Sequence, residues 1–150
     1  MADASSIVES ATDLEAPVTI GVEAYISPEY VKLERDRLWR KMWLQAGRLE
    51  DIPNPGDFIT YDIIDDSILI VRGEDMQVRA FWNVCTHRGR RLVDTPPGQR
   101  NARGNKKSFV CGFHAWTFDT AGACTYVMNE QQWQGKLTAE RKNLGPVKAD

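Results

Sequence analysis

The chain has 150 residues, 42% of them hydrophobic and 27% charged, the balance of a globular protein with enough length for one real core. Its formal net charge of -2 argues against a protein whose main task is to wrap nucleic acid. Three cysteines do not make a disulfide framework, and no stretch approaches the roughly 18 consecutive apolar residues of a membrane span.

Residues 1–24 form an acidic, small-polar lead that is expected to be flexible. The lead lacks the basic and apolar regions of a signal peptide, which points to a cytoplasmic protein. Residues 25–150 are read as a helical lead followed by one β domain. Ser27-Pro28 is an N-cap with proline at the first helical position, and Glu29 adds negative charge to the first turn. The predicted helix runs to about Trp43, with Val31, Leu38 and Met42 on one face, Tyr30 and Trp39 beside it, and Arg35 interrupting the stripe.

Beyond Trp43 the period shortens to that of strands. Ile59, Tyr61 and Ile63 alternate with Thr60 and Asp62 in a half-buried pattern, and Asp65-Asp66 turns into a second run, Ser67 to Arg72. Gly73-Glu74-Asp75 turns into a third, in which Val78, Ala80, Trp82 and Val84 alternate and which ends at Cys85. Residues 94–105, rich in Pro, Gly, Asn and Arg, read as an exposed loop. A strand at Ser108 to Val110 then delivers Cys111, and Trp116–Asp119 with Ala123–Val127 makes a hairpin across Thr120-Ala121-Gly122. Trp39, Trp43 and Trp82 are assigned to packing, and Cys124 to the core as a small apolar residue.

The two histidines of the chain both lie within three residues of a cysteine, in Cys85-Thr86-His87 and Cys111-Gly112-Phe113-His114. Two thiolates and two imidazoles suit a Cys2His2 zinc site or a two-iron, two-sulfur cluster with two histidines on one iron. Glycine stands beside each half, Gly89 and Gly112, where backbone must bend close to a cofactor. Zinc fingers keep cysteines with cysteines and histidines with histidines, whereas each half here mixes the two across 23 intervening residues. The mixed halves suit two irons, each loop giving a thiolate to one and an imidazole to the other.

The runs Asn83-Val84-Cys85-Thr86-His87-Arg88-Gly89 and Cys111-Gly112-Phe113-His114-Ala115-Trp116-Thr117-Phe118-Asp119 resemble the Rieske [2Fe-2S] domain of aromatic-ring-hydroxylating oxygenase alpha subunits. The resemblance spans about Tyr25 to Asp150. It implies a mostly β fold, a small antiparallel Rieske-type sandwich or barrel with an N-terminal helix, in which loops hold the cluster through Cys85, His87, Cys111 and His114. The high-potential respiratory type carries a further cysteine in each half, where this chain has Arg90 and Phe113. The resemblance therefore implies a low-potential centre, toward the lower end of the roughly -150 to +300 mV Rieske span. Two departures stand out: Ala115 where the family usually has glycine, and a longer loop between the halves.

With two ferric ions, two sulfides, two thiolates and neutral imidazoles, such a centre is formally neutral when oxidised and carries one negative charge after one-electron reduction. Arg88, Arg90, Arg91, Arg100, Arg103, Lys106 and Lys107 concentrate positive charge around it and are expected either to meet an acidic ferredoxin or reductase or to form a solvated loop. Trp116 is expected to shield the centre from water, while Phe118 is open between shielding and ordinary core.

In the resembled family a separate catalytic domain holds a mononuclear non-haem iron on two histidines and a carboxylate. If both histidines here are cluster ligands, these 150 residues cannot build that site, and the ending at residues 144–150 resembles the exit toward the catalytic domain. The expected role is electron relay from a ferredoxin or reductase to an iron in a neighbouring alpha subunit, within aromatic hydrocarbon catabolism, with no nucleic-acid or membrane partner. A stand-alone Rieske ferredoxin and a zinc-binding interaction module are the alternatives.

Overall fold

The computed structural model describes residues 19–149. Most of the expected flexible lead, residues 1–18, lies outside the described residues. The chain divides into two compact units, Met1–Leu44 and Gln45–Asp150.

In the first unit a short helix, α1 (Glu23–Ile26), precedes α2 (Pro28–Glu34). The Ser27 hydroxyl accepts from the Tyr30 amide at 3.3 Å, and Pro28 occupies the first turn, as the capping signal requires. The helix does not continue regularly to Trp43. It widens into a π-helical turn at Arg35–Trp39, starting at the residue that interrupts the apolar stripe. A wider turn shifts side-chain register, so Leu38 and Met42 no longer follow Val31 and stay exposed. Trp43, expected in packing, is 59% exposed.

The second unit is the expected mostly β domain. Strands β1 (Asp57–Ile63), β2 (Asp66–Arg72) and β3 (Val78–Trp82) form an antiparallel meander. Strands β4 (Arg103–Asn105) and β8 (Pro146–Val147) complete a five-stranded sheet in the order β4-β1-β2-β3-β8. Strands β5 (Ser108–Val110), β6 (Thr117–Asp119) and β7 (Cys124–Tyr126) form a second sheet. Phe58, Leu69, Val71 and Phe81 from the first sheet join Phe109, Phe118 and Cys124 from the second in one buried cluster. Each such aliphatic or aromatic side chain contributes about 1.5–3 kcal/mol on burial.

The large sheet is apolar on both faces, because Ile59, Ile70 and Ala80 pack with Ile52 on its other side. That corrects the half-buried reading of β1. Thr60, assigned by alternation to the wet face, is fully buried, and its hydroxyl accepts from the Ala102 amide at 2.8 Å. The predicted loop at 94–105 likewise contains β4, three residues with weak strand propensity held by pairing to β1. Asn105 Nδ2 donates to Asp57 Oδ1 at 2.8 Å and to the Pro55 carbonyl at 2.9 Å, fixing that edge.

The predicted hairpin forms as β6–β7. Asp119 Oδ1 accepts from the Ala121 and Ala123 amides at 2.9 and 2.8 Å. Gly122 is required in this turn: its φ is +83°, and a Cβ there would lie 2.4 Å from Phe81 Cε1. Cys124 is buried as expected.

Candidate metal centre

Strands β3 and β5 each run into a tight turn that begins with a cysteine. In the first, the Cys85 amide donates to the Arg90 carbonyl at 2.7 Å and the Gly89 amide donates to the Cys85 carbonyl at 2.9 Å. In the second, the Cys111 amide donates to the Trp116 carbonyl at 2.8 Å and the Ala115 amide to the Cys111 carbonyl at 3.0 Å. The two turns therefore share one hydrogen-bond pattern, cysteine to the fifth residue on and back from the fourth. The fourth residue is left-handed in both, Gly89 at φ +74° and Ala115 at φ +56°. This corrects the glycine reading for the second turn, where Ala115 rather than Gly112 takes the special conformation. A left-handed L-residue costs about 1–2 kcal/mol, which Ala115 bears and Gly89 avoids.

Asn83, just before the first turn, closes it from behind. Its Nδ2 donates to the Val93 carbonyl at 2.8 Å and to Ser67 Oγ at 3.0 Å, while its Oδ1 accepts from the Val93 amide at 3.0 Å. Asn83 is 3% exposed, so every one of these bonds replaces solvent that cannot reach it.

The turns bring the four expected ligands together as two pairs. Cys85 and Cys111 are both buried, and they lie close enough for Cys111 to act on the Cys85 thiol. Burial pushes the Cys85 thiol up to about 11, and Cys111 adds to the shift against the backbone amides of His87 and Arg88. The His87 and His114 rings lie 4.7 Å apart, centre to centre, at 69°. Burial holds the His87 imidazole below its ordinary value, reinforced by the charges of His114 and Arg88. His114 Nδ1 is buried without a hydrogen-bond partner. Among the described residues no three His, Cys, Asp or Glu side chains gather around a point as a single ion would need.

Aromatic side chains surround the imidazoles. Trp116, 3% exposed, stacks on His87 at 4.9 Å and 5°, the position expected of a shield. Phe118 is fully buried in the core. Trp133 meets His87 edge-on at 5.9 Å and 79°. Sequence reasoning passed over Trp133: it lies 19 residues beyond His114 in a segment without strand or helix periodicity, and only the fold brings it back.

A family model described as the Rieske [2Fe-2S] domain matches residues 42–139. The chain belongs to the Rieske [2Fe-2S] family. Among curated relatives of this Rieske chain, the methanesulfonate monooxygenase hydroxylase subunit alpha of Methylosulfonomonas methylovora is 34% identical over 130 residues, 84% of this chain and 31% of that protein. A benzene 1,2-dioxygenase subunit alpha of Pseudomonas putida is 34% identical over 125 residues, 83% of this chain and 26% of that protein. A solved structure of a quaternary ammonium Rieske monooxygenase, described in terms of carnitine oxidation and inter-subunit electron transfer, superposes with a TM-score of 0.76 at 29% identity, over 88% of this chain and 34% of that one. The Rieske chain thus spans about a third or less of the length of these curated relatives.

The cofactor of the family is the Rieske [2Fe-2S] cluster, and the residues present fit it. A thiol pair and an imidazole pair match the two-plus-two donor set of a two-iron centre better than one four-ligand ion. The partnerless His114 Nδ1 is a buried lone polar atom of the kind a metal satisfies. Cys85, Cys111 and Cys124 are all free and buried.

The cationic loop is less uniform than its sequence. Arg90 pairs with Asp94 at 2.9 Å, Arg91 with Asp62 at 2.9 Å and Arg103 with Asp51 at 3.2 Å. Arg88, Arg100, Lys106 and Lys107 have no ion pair among the described residues. No helix among these residues is long and apolar enough to cross a membrane.

Proposed function

We propose that this chain is the electron-relay domain of a ring-hydroxylating oxygenase alpha subunit, with Cys85 and Cys111 holding one iron of the cluster and His87 and His114 the other. When bound, the cluster supplies one-electron redox chemistry. The observation that carries the reading is the pairing itself: matched turns at two strand ends bring thiol to thiol and imidazole to imidazole.

The protein's own part is to fix, bury and bias this donor set. The Asn83 clasp and the β5–β6 hairpin hold the turns rigid, so little rearrangement accompanies a change of charge. Burial of both thiols and the stacked Trp116 exclude water. Arg88 places positive charge beside His87, favouring the more negative, reduced state.

The electron donor is a ferredoxin or reductase. The acceptor is a mononuclear non-haem iron in the catalytic domain of a neighbouring alpha subunit, in a cytoplasmic system hydroxylating an aromatic compound. The relatives support this placement: the matched part of each is the Rieske part of an oxygenase alpha subunit or a Rieske monooxygenase. Mixing the purified, oxidised protein with an NAD(P)H-fed ferredoxin and reductase in a stopped-flow instrument tests the role. Bleaching of the cluster absorbance at a rate that rises with donor concentration is expected. A cluster that dithionite reduces but no such donor does would contradict it.

A further inference from the structure

Trp133 sits on a strap that has no regular pairing yet is tied down at several points. A short 3-10 turn at Glu130–Trp133 lies between Asn129 and Gln134, both left-handed at φ 56° and 50°. Asn adopts that conformation readily and Gln less so, and contacts elsewhere along the strap hold its course. Thr86 Oγ1, inside the first ligand turn, donates to the Lys142 carbonyl at 2.7 Å. Lys142 Nζ returns to Glu130 Oε1 at 2.7 Å, closing the strap on itself, and Asn143 Oδ1 accepts from the Cys124 amide at 2.9 Å. Leu137 packs against the core between these ties.

The result is an indole held at the solvent edge of the site. Trp133 is 38% exposed, stands edge-on to His87 at 5.9 Å and edge-on to Trp116 at 6.1 Å and 75°. Trp116 covers one face of the His87 ring from the core, and Trp133, partly exposed, meets the ring edge-on. His114 has a different neighbour, Phe113, at 3.9 Å and 58% exposed. The two imidazoles therefore have different aromatic neighbours, an indole tied to a strap for His87 and an exposed phenyl ring for His114.

On the reading that these histidines hold the Rieske cluster, we propose that Trp133 is a positioning residue that lowers the reduction potential of the centre by excluding water from the His87 side. Reduction takes the centre from formally neutral to one net negative charge, with the electron supplied by the donor. An apolar cover disfavours the form carrying net charge, and removing the cover favours it. Trp133→Ala is thus expected to raise the potential, and Trp133→Leu, which keeps an apolar cover, to raise it less.

The test uses the full chain purified with its cluster. Potentiometric titration should show a several-fold shift toward reduction against a fixed mediator for Trp133→Ala, a tenfold shift corresponding to 59 mV. Deuterium modulation in the pulsed EPR spectrum of the reduced protein in heavy water should increase in the same order, a change that loss of stability alone does not produce. Parental potential and parental deuterium coupling in Trp133→Ala would overturn the proposal while leaving the Rieske assignment standing. A parent protein without a Rieske-type EPR signal would instead overturn the assignment. Should Trp133→Ala lose its cluster, Trp133→Leu decides: raised potential with increased coupling supports the role, and parental values refute it.

Discussion

In the turn at Cys85 the left-handed position is Gly89, the imidazole at His87 is flanked by Trp116 and Trp133, and Asn83 clasps the turn from behind. In the turn at Cys111 the same position is Ala115, His114 leans on an exposed Phe113, and support comes from the β5–β6 hairpin. Arginines crowd the first turn, at 88, 90 and 91, and none occurs in the second. One backbone frame, used twice, thus delivers equivalent cysteines and unlike histidines. The placement of the cysteines and histidines belongs to the hydrogen-bond pattern of the turns, while their aromatic neighbours and local charge belong to what is attached to them.

The comparison breaks most completely at the cysteines. If the turns are equivalent in ligation, Cys85→Ser and Cys111→Ser should each abolish the cluster, seen as loss of visible absorbance and of iron on metal analysis. Retention of a full cluster by either variant would remove that cysteine from the ligand set. The next largest effect falls on the first turn alone. Asn83→Ala leaves the Val93 amide and carbonyl buried without partners, a loss of about 2–4 kcal/mol, or about 10 °C or more in melting temperature. Thr117→Ala, which removes a 3.0 Å bond from Thr117 Oγ1 to the Ala115 carbonyl beside the second turn, should cost well under half as much.

Exchanging the left-handed residues sharpens the contrast, because the signs oppose. Gly89→Ala should destabilise by about 1–2 kcal/mol, and Ala115→Gly should stabilise by up to about 1 kcal/mol, both read from denaturant midpoints at unchanged slope. The smallest effect is electrostatic. Arg88→Gln should slow reduction by an acidic ferredoxin a few-fold at low ionic strength and lose that difference at high salt, as expected of an exposed steering charge. The ion-paired Arg90 and Arg91 should matter less, since Asp94 and Asp62 already offset them.

How far the site was legible follows the same division. Cys85, His87, Cys111 and His114 announce themselves by spacing, since each candidate cysteine shares one short loop at a strand end with a histidine. The helix cap at Ser27 and the β6–β7 turn at Asp119 are equally local and formed as expected. What sequence could not show depends on contacts far along the chain. Thr60 is buried because Ala102 reaches it across 42 residues, and Arg103-Gly104-Asn105 becomes a strand only because β1 offers an edge. Ala115 takes the conformation that glycine takes in the first turn because the surrounding hydrogen bonds demand it. Trp133 reaches His87 through a strap whose ties include Thr86 and Lys142, 56 residues apart.

We propose that these two turns hold one two-iron centre, cysteines on one iron and histidines on the other. EPR of the purified chain after dithionite reduction, with iron, sulfide and zinc determined on the same sample, tests it most directly. A brown protein with two irons and two sulfides per chain, and a low-g signal carrying hyperfine coupling to two imidazole nitrogens, is expected. A colourless, EPR-silent protein with one tightly held zinc per chain after expression with adequate iron would contradict it.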